Sequence, residues 1–205
     1  MAVKVHLWAL PLLILACSGG NKAPTPAPTA KPVTPDPVVK PGGPEIVKLP
    51  LEADETPPSD CVAAPVDGGA LDQTSDSFTR IEVKQHPQFV WEKATLKSGL
   101  VVVAQVGGCA HIGASYVVHL PADKPISDRA HYLGAALDVV MALPLRAGSR
   151  NHRAEIAEEI KPALGDAAKL SECDFPRGEI DRVMCGIAEE DDGKVHVSLA
   201  YDVAL

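Results

Sequence analysis

Apolar and polar positions alternate strictly in two stretches of the chain, and between them the period lengthens to that of a helix. Ile81 and Val83 point one way in Thr79-Arg80-Ile81-Glu82-Val83-Lys84 while the charges point the other, the signature of a half-buried strand. After Pro87, Phe89 and Trp91 alternate with Val90 and Glu92 in a second strand, and the turn Lys97-Ser98-Gly99 lets residues 100–106 (LVVVAQV) pair back as a third. That unbroken apolar run reads as a central strand. Gly107-Gly108 breaks it, and Ser115 to Leu120 makes a fourth strand before Pro121.

The period then changes. Ser127 and Asp128 are N-cap residues, and Leu133, Ala136, Leu137, Val140 and Met141 recur at helical spacing up to Pro144. A second helix is expected over about 152–161, with Ile156, Ala157 and Ile160 inward, Glu155, Glu158 and Glu159 outward, and Pro162 and Gly165 closing it. Period two returns in Asp181, Val183, Cys185 and Ile187, which share one face of a strand, and in Val195, Val197, Leu199, Tyr201 and Val203, which share one face of another. Asp192-Gly193 between them predicts a hairpin with a two-residue type I′ turn. Strands, then two helices, then strands predict an α+β domain over 59–205: an antiparallel sheet of about six strands with two helices packed on one face.

The first sixty residues are a different material. Residues 1–16, MAVKVHLWALPLLILA, set one lysine before a short apolar stretch interrupted by Pro11, which is the shape of a secretory signal and too short to span a bilayer. Ile14-Leu15-Ala16-Cys17 at its end resembles the lipobox of bacterial lipoproteins. The resemblance covers about 20 residues and implies cleavage before Cys17, acylation of its sulfur, and a membrane anchor made of fatty acyl chains. Ser18 is not the aspartate that retains such proteins in the inner membrane, so the resemblance leans toward an outer-membrane lipoprotein facing the periplasm. Two or more acyl chains anchor stably where one does not.

Residues 17–58 then carry the lipidated cysteine and a tether. Eleven of the chain's 19 prolines fall here, as in APTPAPTAKPVTPDPVVKPGGP. Without amide hydrogens and with fixed φ, such a stretch forms neither helix nor central strand. About 41 residues at about 3.1 Å each would reach on the order of 125 Å when extended.

Charge and composition narrow the function. Nineteen basic against 27 acidic residues give a net charge of −8, which argues against nucleic acid as a partner. Aromatics are 4% of the chain, too few for stacking platforms that hold sugars or single-stranded bases.

With Cys17 assigned to lipid, Cys61, Cys109, Cys173 and Cys185 remain. An even set in an exported domain predicts disulfides, and nearness in sequence favours Cys61–Cys109 with Cys173–Cys185 among three connectivities. Loops of about 49 and about 13 residues would be worth roughly 4 and 3 kcal/mol. The competing chemistry is metal binding: Gly107-Gly108-Cys109-Ala110-His111 sets a thiol and an imidazole two apart, with His119 further on, donors that suit Cu(I) or zinc. No second Cys/His pair at a structural-zinc spacing supports it.

Glu189-Glu190-Asp191-Asp192 lacks the spacing of a calcium loop and reads as a solvated turn, with His196 opposite Glu189 as an ordinary cross-strand pair. Asp128 and His131, one helical turn apart, suit a surface contact. There is no G-x-S-x-G, no phosphate-binding glycine pattern, and in residues 59–205 no S-x-x-K. These motifs therefore name no catalytic residue, which stays unknown, and no cofactor is expected. The expectation is a lipid-anchored cell-envelope protein that displays a binding or structural domain on a proline-rich stalk, toward an envelope protein or a cell-wall component. An envelope enzyme without recognisable motif, or a metal-binding lipoprotein using Cys109 and His111, are the alternatives.

Overall fold

The computed structural model describes residues 43–52, 65–108, 113–191 and 193–203. The leader, Cys17, most of the proline-rich stretch, Cys61, Cys109 and His111 lie outside the described residues. The six expected strands all form: β2 (Phe78–His86), β3 (Phe89–Leu96), β4 (Val101–Gly107), β5 (Ala114–Pro121), β7 (Asp181–Glu189) and β8 (Lys194–Val203). Two short ones join them, β1 (Glu45–Lys48) and β6 (Asp174–Pro176), so among the described residues the sheet has eight strands in the order β1-β2-β3-β4-β5-β8-β7-β6.

Both additions are edge strands, and together they correct the expected six-stranded antiparallel sheet. β1 pairs parallel to β2, with Ile46 opposite Ile81, which makes the sheet mixed. It lies inside the segment expected to be tether, between Pro44 and Pro50. Proline density forbids a central strand but not a four-residue edge strand whose outer amides need no partner. β6 is three residues long, too short to display any period.

β4, the apolar run at 101–107, lies in the middle of the sheet, between β3 and β5. Alternation sends Val102, Ala104 and Val106 of β4, Tyr116 and Val118 of β5, and Val195, Val197 and Leu199 of β8 into the core. Each buried valine or leucine among them is worth about 1.5–3 kcal/mol of burial. Helices α1 (Arg129–Ala142) and α2 (Arg153–Ala163) pack on β5, β7 and β8. Asp128 caps α1 by accepting from the His131 amide at 3.3 Å, and Tyr132, Leu133, Ala136, Leu137 and Val140 form its buried face. Arg153 ties α2 to α1 by donating to the Met141 and Leu143 carbonyls at 3.1 and 3.0 Å.

A third helix, α3 (Ala167–Glu172), corrects the expected two. Asp166 caps it by accepting from the Ala168 and Lys169 amides, and it ends on Cys173, at φ +49°. Cys173 is bonded to Cys185 of β7, so a disulfide joins the end of α3 to the sheet. α2 also runs through Pro162 to Ala163, because a proline in the final turn interrupts little of the ladder: the Leu164 amide still donates to Ile160 at 3.1 Å.

The β7–β8 hairpin forms, but with a different turn. Glu189 pairs with Val195, the Glu190 amide donates to the Lys194 carbonyl at 3.0 Å, and the Gly193 amide donates to Glu190 at 3.0 Å. The loop is therefore three residues, 191–193, with Gly193 at φ +73°, where a two-residue turn was expected.

Candidate functional site

The helices occupy one face of the β5-β8-β7 region, and the opposite face carries the residues of the other parity. At one end of that face the last residues of β4 and β8 and the first of β5 and β7 surround a cleft of about 640 Å³. Gln105, Ser115, Ala200 and Met184 form one row across its floor, each opposite the next in the sheet register. Arg182 and Asp202, directly paired across β7 and β8, form part of the following row with Gly113. A Cβ on Gly113 would stand 1.9 Å from the Tyr201 carbonyl oxygen, so only glycine lets β5 approach β8 there. The Arg182 guanidinium stands 3.7 Å from the Asp174 carboxylate, which steadies one charge at the rim. Polar Gln105 and Ser115 occupy one half of that row, apolar Ala200 and Met184 the other, and Arg182 and Asp202 add charge beside it, a mixed lining that suits an extended polar chain more than a wholly apolar ligand.

On the other side of the same sheet end, α2 is fastened to β8. The Tyr201 hydroxyl donates to Asp181 at 2.9 Å, and its ring stacks on His152 with centroids 4.3 Å apart and planes 13° from parallel. Burial, then the Asp181 carboxylate, push the Tyr201 hydroxyl's pKa up and keep it protonated. His152 has φ +48°, a left-handed conformation costly for a residue with a Cβ, and its Nδ1 lies 3.4 Å from Glu155. Arg177 pairs with Glu158 and Glu159 at 2.9 and 3.0 Å. The hydrogen bond to Glu158 leads the effects that hold its charge in place. The cluster does the work of a fastener: its imidazole is covered by a phenol ring and its charges are paired.

A third polar group is wholly buried. β3 turns Phe89 and Trp91 to the open side, and sends Val90, Glu92 and Ala94 inward. The Glu92 carboxylate, 0% exposed, accepts from the Leu71 amide at 2.9 Å and from the Gln73 side-chain amide at 2.8 Å. Burial raises its pKa above the ordinary carboxylate range, against the pull of Gln73, the Leu71 and Ala70 amides, and Arg146. A Cβ on Gly69 would stand 2.2 Å from the Glu92 Cδ, so the loop lies flat on the carboxylate. Arg146 donates to the Gly69 and Asp67 carbonyls and closes the loop from behind. Glu92 thus pins the segment 67–73 to the sheet.

Of the site residues expected from sequence, Cys173 and Cys185 are joined, while Cys61, Cys109 and His111 lie outside the described residues. His119 faces His196 across β5 and β8, with ring centroids 3.9 Å apart. His196 pairs with Glu190 at 3.2 Å, where Glu189 was expected, since the three-residue loop shifts the register by one. His131 lies 3.0 Å from Asp123, and Asp128 serves its backbone amide alone. Among the described residues no three His, Cys, Asp or Glu side chains gather as a metal site. Glu92, His152 and Arg182 were not expected. Only Glu92 carried a readable signal, an acid sharing the parity of Val90 and Ala94.

No family model, no curated protein and no solved structure matches this chain.

Proposed function

We propose that this protein is a lipid-anchored component of the cell envelope, and that its folded domain is a binding module for an envelope protein, carried on the proline-rich stretch. The observation that supports this best is the layout of the sheet: the chain enters from the proline-rich side as edge strand β1, while the cleft lies among β4, β5, β8 and β7. A partner in the cleft therefore meets a surface several strands away from the point of attachment. The Cys173–Cys185 disulfide fits an oxidising compartment outside the cytoplasm. The anchor in this reading is Cys17, on the strength of the lipobox-like Ile14-Leu15-Ala16-Cys17. A protein segment suits the cleft better than a glycan, because among the described lining residues Tyr201, itself buried, is the lone aromatic.

Two measurements test the reading. The intact mass of the membrane-extracted protein should lack residues 1–16 and carry acyl chains on Cys17; an unacylated mass removes the anchor. A photo-crosslinking residue at Gln105 or Ser115 should give one discrete adduct of the same mass, absent from a control at Glu158 on α2 and suppressed by Arg182→Glu. Equal adducts at all three positions, or none, reject the cleft as the binding surface.

A further inference from the structure

The antiparallel register sets His119 and His196 directly opposite one another on the sheet face away from the helices. Their rings are 3.9 Å apart at centroids and tilted by 57°. Val101 is the next residue across on β4 and Ala188 the next on β7, so small or apolar side chains flank the pair within its row. The Glu190 carboxylate lies 3.2 Å from Nδ1 of His196. A carboxylate there accepts an N–H from Nδ1, which leaves Nε2 as the nitrogen with a free lone pair. That Nε2 is buried and has no hydrogen-bond partner. A buried lone pair facing nothing is costly, and an imidazole oriented through its other nitrogen by a carboxylate is the arrangement that metal-binding histidines use.

We propose that His119 and His196 are the two protein ligands of an exchangeable site for a borderline divalent ion, Cu²⁺ or Zn²⁺, with Glu190 as the positioning carboxylate. Directly opposed residues of an antiparallel pair have Cβ atoms about 4.5–5.5 Å apart. Two imidazoles mounted at that spacing can each reach one ion at about 2.0–2.1 Å. Imidazole nitrogen suits copper and zinc, and with two protein ligands the remaining positions stay open to water or to a donor from elsewhere. The site is separate from the cleft: His119 lies four residues beyond Ser115 on β5, about 13 Å along the strand.

The full-length chain, stripped of metal and titrated with Cu²⁺, should bind one ion with nitrogen hyperfine structure from two imidazoles in its electron paramagnetic resonance spectrum. Zn²⁺ should compete for the same site, lowering that signal only in large excess because imidazole sites favour copper. His119→Gln and His196→Gln should each abolish that two-nitrogen signature, and Glu190→Gln should keep it while weakening affinity by roughly 10- to 100-fold. Cys109→Ser should leave both unchanged. Circular dichroism establishes that each variant is folded, and Glu190→Gln, at the hairpin loop, supplies a test should a histidine variant unfold. Binding that survives both histidine changes, or that disappears with Cys109→Ser, overturns the assignment. So does a Glu190→Gln affinity equal to the wild type, or no stoichiometric binding at all.

Discussion

Glu92 is a carboxylate withdrawn from water and then surrounded by donors, and its balance of effects has a pH signature. Its folded-state pKa lies above the ordinary carboxylate value, so between those two values the folded protein holds a proton that the unfolded chain has released. Stability from this group is therefore complete below the ordinary value and falls as pH rises through the raised one. Asp72 acts in the opposite sense. The Thr74 hydroxyl and amide hold its pKa below the usual range, so its contribution is lost only as pH falls through that lowered value. Glu92→Gln isolates the first effect. The variant should be less stable by about 1–3 kcal/mol near neutral pH, since one oxygen acceptor becomes an N–H₂ facing other donors. Thermal melting of both proteins across pH should show the difference narrowing as pH rises through the raised value, because ionising the buried carboxyl costs the wild type stability that the variant does not lose. Parallel curves would mean that Glu92 titrates like a solvated acid.

The hairpin shows what a sequence can carry and where local signals run out. Asp192-Gly193 marks the turn, but a glycine in the left-handed region serves a two-residue turn and the end of a three-residue loop equally well. Face matching decides between them. Opposed residues in an antiparallel pair share a face, so Val183, Cys185 and Ile187 meet Tyr201, Leu199 and Val197 only in the observed register. The two-residue register would have turned one apolar set outward. The six long strands and the two longer helices are legible because each spans several periods of its pattern. β1, β6 and α3 are not, being held by sheet edges, a cap and a disulfide. The cleft is less legible still, since it joins residues from four strands that no local pattern connects. Among these constraints the disulfide is the simplest to test. Cys185→Ser should lower stability by about 3 kcal/mol, and reductant should bring the wild type toward the variant's melting temperature. An unchanged melting temperature would mean that α3 and β6 are held by packing alone.

At the scale of the molecule the question is whether the proline-rich stretch is a spacer or only a connection. The folded domain supplies its own core, and the Pro-rich residues 23–41 precede the first strand, so removing them should leave its melting temperature unchanged. Reach is another matter. Nineteen residues at about 3.1 Å each span roughly 60 Å as an extended polyproline helix. The same number of glycines and serines gives a mean span of only about 24 Å, because a flexible chain grows with the square root of its length. Replacing 23–41 by a glycine-serine stretch of equal length therefore changes stiffness while keeping Cys17, the proposed lipidation site, and the domain. If the stretch is a spacer, the adduct formed from Gln105 should fall sharply in that replacement as well as in the deletion, while acylation and membrane fractionation stay as they were. If the glycine-serine chain supports the adduct as well as the native one, proline stiffness has no part in positioning the domain. The composition would then reflect only a stretch that must not fold.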